Sequence, residues 1–171
     1  TIDGLTLTGG NAFYGGAITI DQGALTLDNS TLVGNFADNG SAVFLNNDVG
    51  DATINNSVIS DNAAGREGAF GQSAGGTINN NSMIGSLTIN GSTITDNSVG
   101  GRGGGIVSGF SGTSLTITDS TISNNTSGLR GGGIYTKGLN TTITDSTISG
   151  NTSALSGGGV FASNTDFFSE V

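Results

Sequence analysis

Large apolar residues recur along this chain in a fixed frame. Residues 115–125 (LTITDSTISNN) and 141–151 (TTITDSTISGN) are near copies, and sliding that phrase along the sequence finds six. A first apolar anchor falls at Ile2, Leu27, Ile54, Ile89, Ile117 and Ile143. A second lies five residues later, at Leu7, Leu32, Ile59, Ile94, Ile122 and Ile148. A third follows after eleven or twelve more, at Ile18, Val43, Phe70, Ile106, Ile134 and Val160. Around each anchor the residues alternate, with Thr at 1, 26, 53, 88, 116 and 142 just before the first. Alternation over short runs means strand, with the anchor on one face and the β-branched Thr on the other. Asn, Asp, Gly and Ser clusters between the runs mark turns. No window supports an amphipathic helix of ten or more residues.

Three short strands in about 27 residues cannot hide their own Ile and Leu. Stacked copies cover one another and pair each strand with the one above. The pattern therefore predicts an all-β parallel β-helix, or solenoid, of about six rungs with three short strands each. It predicts one domain over residues 1–171. One gap departs from the frame: Phe70 to Ile89 spans nineteen residues, where the others span nine to eleven. The expectation is an insertion loop at 71–86 that bulges outward, with Asn79, Asn80, Asn81, Ser82 and Met83 on it. Such insertions on a solenoid are common binding surfaces, and equally common as tolerated excess chain.

The turns carry a second periodicity. Three residues after the second anchor stand Asn35, Asn62, Asn97, Asn125 and Asn151, with Gly10 in the first copy. Asn tolerates the left-handed conformation, and its amide can bond up and down a stack of like residues. An internal asparagine ladder is the reading of this column. Two residues before the second anchor lie Ser30, Ser57, Ser92, Ser120 and Ser146, which period two also turns inward. Gly15-Gly16-Ala17, Gly104-Gly105, Gly132-Gly133 and Gly158-Gly159 precede third anchors and predict corners with positive φ or close backbone approach.

The Ile-x-x-Asn phrases at 59–62, 94–97, 122–125 and 148–151, and Gly15-Gly16-Ala17-Ile18, carry a family likeness. The sequence resembles the right-handed parallel β-helix repeats of polymorphic outer membrane proteins and of related bacterial surface adhesins and autotransporter passengers. Their motifs read F-x-x-N and G-G-A-(I/L/V); here Ile or Leu stands where the family has Phe. The resemblance implies a single-stranded right-handed parallel β-helix. It implies an extracellular or cell-surface element, structural or adhesive, with no catalytic residues and no cofactor. A carbohydrate or a host- or cell-surface ligand is the partner it suggests.

Composition narrows the chemistry. Gly, Thr, Ser and Asn fill 95 of 171 positions, and Pro, Cys, His and Trp are absent. That excludes zinc fingers, Cys or His nucleophiles, haem and disulfide frameworks. Four basic against thirteen acidic residues argue against nucleic acid. No apolar stretch is long enough to span a bilayer as a helix, and no leader peptide is visible.

Few positions invite a site. Arg66, Arg102 and Arg130 each lie four residues before a third anchor, so they are expected to stack on consecutive rungs. Such a column suggests an anion or partner contact, such as a groove for acidic sugars. The plainer reading is bridging to Glu67, Asp61 or Asp96, or to an adjacent subunit. Asp119 and Asp145 share one repeat position, and Asp61 and Asp96 another. Carboxylates one rung apart approach the separation of retaining glycosidases, and Arg102 or Arg130 beside Asp96, Asp119 or Asp145 would suit a polysaccharide-degrading enzyme. Asp is equally a turn residue bonding its own backbone. Outward T-x-T phrases at 6–8, 93–95 and 116–118 are similar to ice-binding solenoids, but Val33, Val58, Ser60 and Ser123 interrupt the columns. Sequons such as Asn39-Gly-Ser and Asn140-Thr-Thr are expected by accident in this composition. Neither end shows a cap, which predicts either a segment of a longer passenger or end-to-end stacking of copies into a filament.

Overall fold

The computed structural model describes residues 1–65, 75–109, 113–137 and 140–163. Among these residues every regular element is a β-strand, and every strand pair is parallel. The chain coils as a solenoid of five full turns and most of a sixth, with three sheets along its length.

The anchors set the register. The first anchors pair in sequence from Ile2 with Leu27 to Ile117 with Ile143. The second anchors pair from Leu7 with Leu32 to Ile122 with Ile148. Parallel pairing puts like on like, register shifts within Ile18–Asp28 against Val43–Asn55 absorbing their difference in length, and period two then turns the anchors to one side. Leu27, Leu32, Ile54, Ile59, Ile89, Ile94, Ile117 and Ile122 have no solvent-exposed surface and belong to one continuous core.

The three sheets do not follow the three anchors one for one. The third-anchor strand of one rung and the first-anchor strand of the next share a single long face. They are continuous in Ile18–Asp28 and Val43–Asn55. The second anchors form a sheet of three-residue strands, such as Thr31–Val33 and Thr121–Ser123. The remaining sheet follows the asparagine column, with strands such as Asn11–Tyr14, Phe36–Asn39, Ala63–Ala64 and Ser98–Val99. Its inward positions on rungs two to five are the small residues Ala37, Ala64, Val99 and Ser127, all buried. A search for large apolar anchors misses a wall whose lining is Ala, Val and Ser.

Rung three corrects the frame. Ile78, not Phe70, pairs with Val43 below and Ile106 above, and it is fully buried. From Ile78 to Ile89 the gap is eleven residues, as on other rungs. The extra chain therefore lies between Ala64 and Gly75, before the third anchor instead of after it. The expected outward loop at 71–86 does not hold over its described part. Ile78–Asn80 is a buried strand of the long face. Ser82 is buried, accepting from the Gly85 N–H at 2.9 Å and donating to the Val49 carbonyl. Asn81 donates to Asn47 Oδ1 at 2.9 Å. Only Met83 and Ile84 project at the corner. Phe70, Arg66, Glu67 and the loop's start at 71–74 lie outside the described residues.

Candidate functional site

The asparagine column is a continuous hydrogen-bonded rail. Asn35, Asn62, Asn97 and Asn125 each donate from Nδ2 to the Oδ1 of the Asn one rung on, at 2.8–3.0 Å. The same Oδ1 also accepts the backbone N–H of the preceding Asn, at 2.9–3.2 Å. The second Nδ2 proton goes to the second-anchor carbonyl of the rung before: Leu7, Leu32, Ile59, Ile94 and Ile122. Gly10, where the first copy lacks Asn, donates its N–H to Asn35 Oδ1 at 2.9 Å. An amide carries two donors and an acceptor with two lone pairs, and each interior member uses all of them. Serine runs a second rail: the N–H of Ser30, Ser57, Ser92 and Ser120 donates to the hydroxyl of the serine above at 3.1 Å. Each hydroxyl donates to the carbonyl two residues back, as Ser120 does to Thr118 at 2.7 Å.

The left-handed conformation belongs to the residue before each ladder Asn, not to the Asn itself. Gly9, Gly34, Asp61, Asp96, Asn124 and Gly150 form one column, with φ from 54° to 70°. Gly4, Asn29, Asn56, Gly91, Asp119 and Asp145 form another, with φ from 47° to 65°. Only Gly, Asn and Asp occupy these positions, the residue types that enter that region at least cost. The Asp pairs considered for catalysis thus sit where other rungs have Gly or Asn. All four are exposed turn residues, and Asp96 accepts from its neighbour Thr95 at 2.8 Å.

At the third corner two demands fall on different glycines. Gly103 and Gly131 supply positive φ. Gly104 and Gly132 sit against the next rung, where an added Cβ would lie 2.1 Å and 2.3 Å from the carbonyl oxygens of Gly132 and Gly158.

Of the expected arginine column, Arg102 and Arg130 are among the described residues. The position opposite Arg102 on rung three is Gly75, not Arg66, and the position opposite Arg130 on the last rung is Ser156. Arg66 itself lies outside the described residues. Arg102 and Arg130 stand on neighbouring rungs, the Arg130 carbonyl accepting from Gly103 N–H at 3.0 Å. Each guanidinium covers an aromatic ring of the next rung: Arg102 lies 5.2 Å from the Tyr135 centroid and Arg130 5.2 Å from that of Phe161. Tyr135 and Phe161 pair in register and stack 5.5 Å apart, with planes 5° from parallel. These cations act as lids on outward rings. Sequence reasoning missed the aromatic partners because they lie one rung on, 33 residues past Arg102 and 31 past Arg130.

The outward Thr columns are interrupted as expected. Thr31 meets Val58, and Thr8 is followed by Val33 and Ser60. No helix of the described residues is long and apolar enough to cross a membrane.

Against known proteins, no curated protein and no solved structure matches the chain significantly. Residues 119–137 and 145–163 each match the family model of the Chlamydia polymorphic membrane protein repeat. Each match begins at a left-handed Asp, passes the second anchor and the ladder Asn, and ends just beyond the third anchor. These two stretches of the solenoid are therefore similar to the Chlamydia polymorphic membrane protein repeat, in the segment that runs through all three corners.

Proposed function

We propose that the chain is a non-catalytic structural or adhesive solenoid displayed at a cell surface. The observation that carries this reading is the use to which the polar residues are put. Asn and Ser rails bind rung to rung, and Asp, Asn and Gly share the left-handed turns. Side chains that would be catalytic candidates in a sugar-cleaving β-helix serve the coil itself. The similarity of two rungs to a membrane-protein repeat supports placement at the surface. A rigid rod with a solvated exterior holds outward side chains at fixed spacing, which is what multivalent contact needs.

The test is display and inactivity together. An antibody raised against the purified chain is expected to label intact source cells. The chain is expected to release no new reducing ends from a panel of acidic and neutral polysaccharides. Labelling that appears only after permeabilisation, or sugar release abolished by Asp119→Asn with Asp145→Asn, would overturn the reading.

A further inference from the structure

The first two rungs carry an aromatic cluster that the ladder does not use. Phe13, Tyr14 and Phe36 are 58%, 48% and 45% exposed on a β-sheet surface. Phe13 and Tyr14 meet edge to face at 4.7 Å, and Tyr14 lies 4.7 Å from Phe44, which is buried beneath it. Phe36 pairs with Asn11, so it is the diagonal neighbour of Phe13 on the same outward face. The other large exposed apolar side chains among the described residues are aliphatic: Leu5, Met83, Ile84 and Leu155 lie outside the strands, and Val58 and Val160 each begin one.

Carboxylates frame this patch. Asp38 lies between Ala37 and Asn39, the register partners of Ala12 and Tyr14, and so stands beside Phe13 on the next rung. Asp61 is exposed in the turn two residues before Ala63, which pairs with Phe36. The surroundings reinforce them. Residues 1–65 contain seven Asp and no Lys or Arg, whereas residues 75–163 hold three Asp and the three cations Arg102, Arg130 and Lys137. The net charge of −9 is thus concentrated toward one end of the rod, around the exposed rings.

We infer that this face docks a Lys- or Arg-rich polypeptide. A cation gains from the negative face of an aromatic ring and from a nearby carboxylate at once, and a uniformly acidic field draws it in. The same chain shows the pairing at its other end, where Arg102 and Arg130 cover Tyr135 and Phe161. At the acidic end rings of the same kind stand exposed. An acidic glycan would be repelled there. The inference deepens the surface reading by naming a partner class. Because it is tested on purified protein, its failure would leave surface display standing.

The probe is a fluorescein-labelled decapeptide of alternating Arg and Lys, titrated by anisotropy at physiological salt. A glutamate decapeptide and an array of neutral and acidic saccharides serve as comparators. Phe13→Ser with Phe36→Ser, and separately Asp38→Asn with Asp61→Asn, are each expected to weaken peptide binding about tenfold. Asn keeps the left-handed turn available at position 61. Asp119→Asn with Asp145→Asn removes the same charge elsewhere and is expected to change binding less than about twofold. Equal weakening by this control would mean a diffuse field and would overturn the inference. So would no peptide binding, or saccharide binding lost in the Phe variants while the peptide is indifferent to them.

Discussion

At the scale of single residues, the turns explain why acidic side chains align without forming an acid pair. A residue at φ near +50° strains any side chain with a Cβ, by roughly 1–2 kcal/mol for most types, and Asn and Asp are relieved by local hydrogen bonding. Asp119, at φ 49°, occupies the column that also holds Gly4 and Asn56. Asp119→Gly and Asp119→Asn are therefore expected to leave stability unchanged within about 0.5 kcal/mol, and Asp119→Ala to cost about 1 kcal/mol in urea unfolding. A neutral Asp119→Ala would mean that the turn does not select its residue. The ladder Asn were legible in the sequence because a polar residue that recurs three positions after a core anchor can only be inward and paired. The Asp were ambiguous. Their spacing is the same for a turn and for an acid pair, and only the backbone angle separates the two.

At the scale of strands, register decides which apolar residue enters the core. Phe70 satisfies the eleven-residue spacing from Ile59, and Ile78 does not, yet Ile78 pairs with Val43 and Ile106. The signal that distinguishes them is the phrase Gly75-Gly76-Thr77-Ile78, which repeats the form of Gly15-Gly16-Ala17-Ile18. Corner glycines fix the position of a strand more tightly than the length of chain before them, because loop length varies at little cost. Thr77 also ties this strand into the corner, donating to the Gly104 carbonyl at 2.9 Å. Ile78→Ala is expected to cost roughly 2–5 kcal/mol in chemical denaturation, as for a fully buried β-branched side chain. A cost under about 1 kcal/mol would return the third anchor to another residue. The sheet beyond the asparagine column was illegible for a related reason. Ala37, Ala64 and Ser127 are too small to stand out from a chain rich in such residues, although they line a wall as closed as the others.

At the scale of the whole molecule, each rung touches only its neighbours, so stability should behave as a chain of nearest-neighbour terms. Asn97 makes this measurable. Its Oδ1 accepts from both the N–H and Nδ2 of Asn62, and its Nδ2 reaches the Ile59 carbonyl and Asn125 Oδ1. Asn97→Ala strips one partner from four buried groups at once, each worth roughly 1–3 kcal/mol when left unmade. The loss falls on rungs three to five and not on the first. Hydrogen exchange is the readout that keeps position. The Asn62 amide and its neighbours on those rungs are expected to exchange faster by on the order of 100-fold or more. The Phe36 N–H, bonded to Gly10 at 2.8 Å two rungs away, is expected to change only a few-fold. An equal loss of protection along the entire rod would mean that the array opens as one unit, and that the rails couple distant rungs. A graded loss would mean that a local break stays local, so an acidic aromatic end and an arginine-capped end can be altered separately on one scaffold.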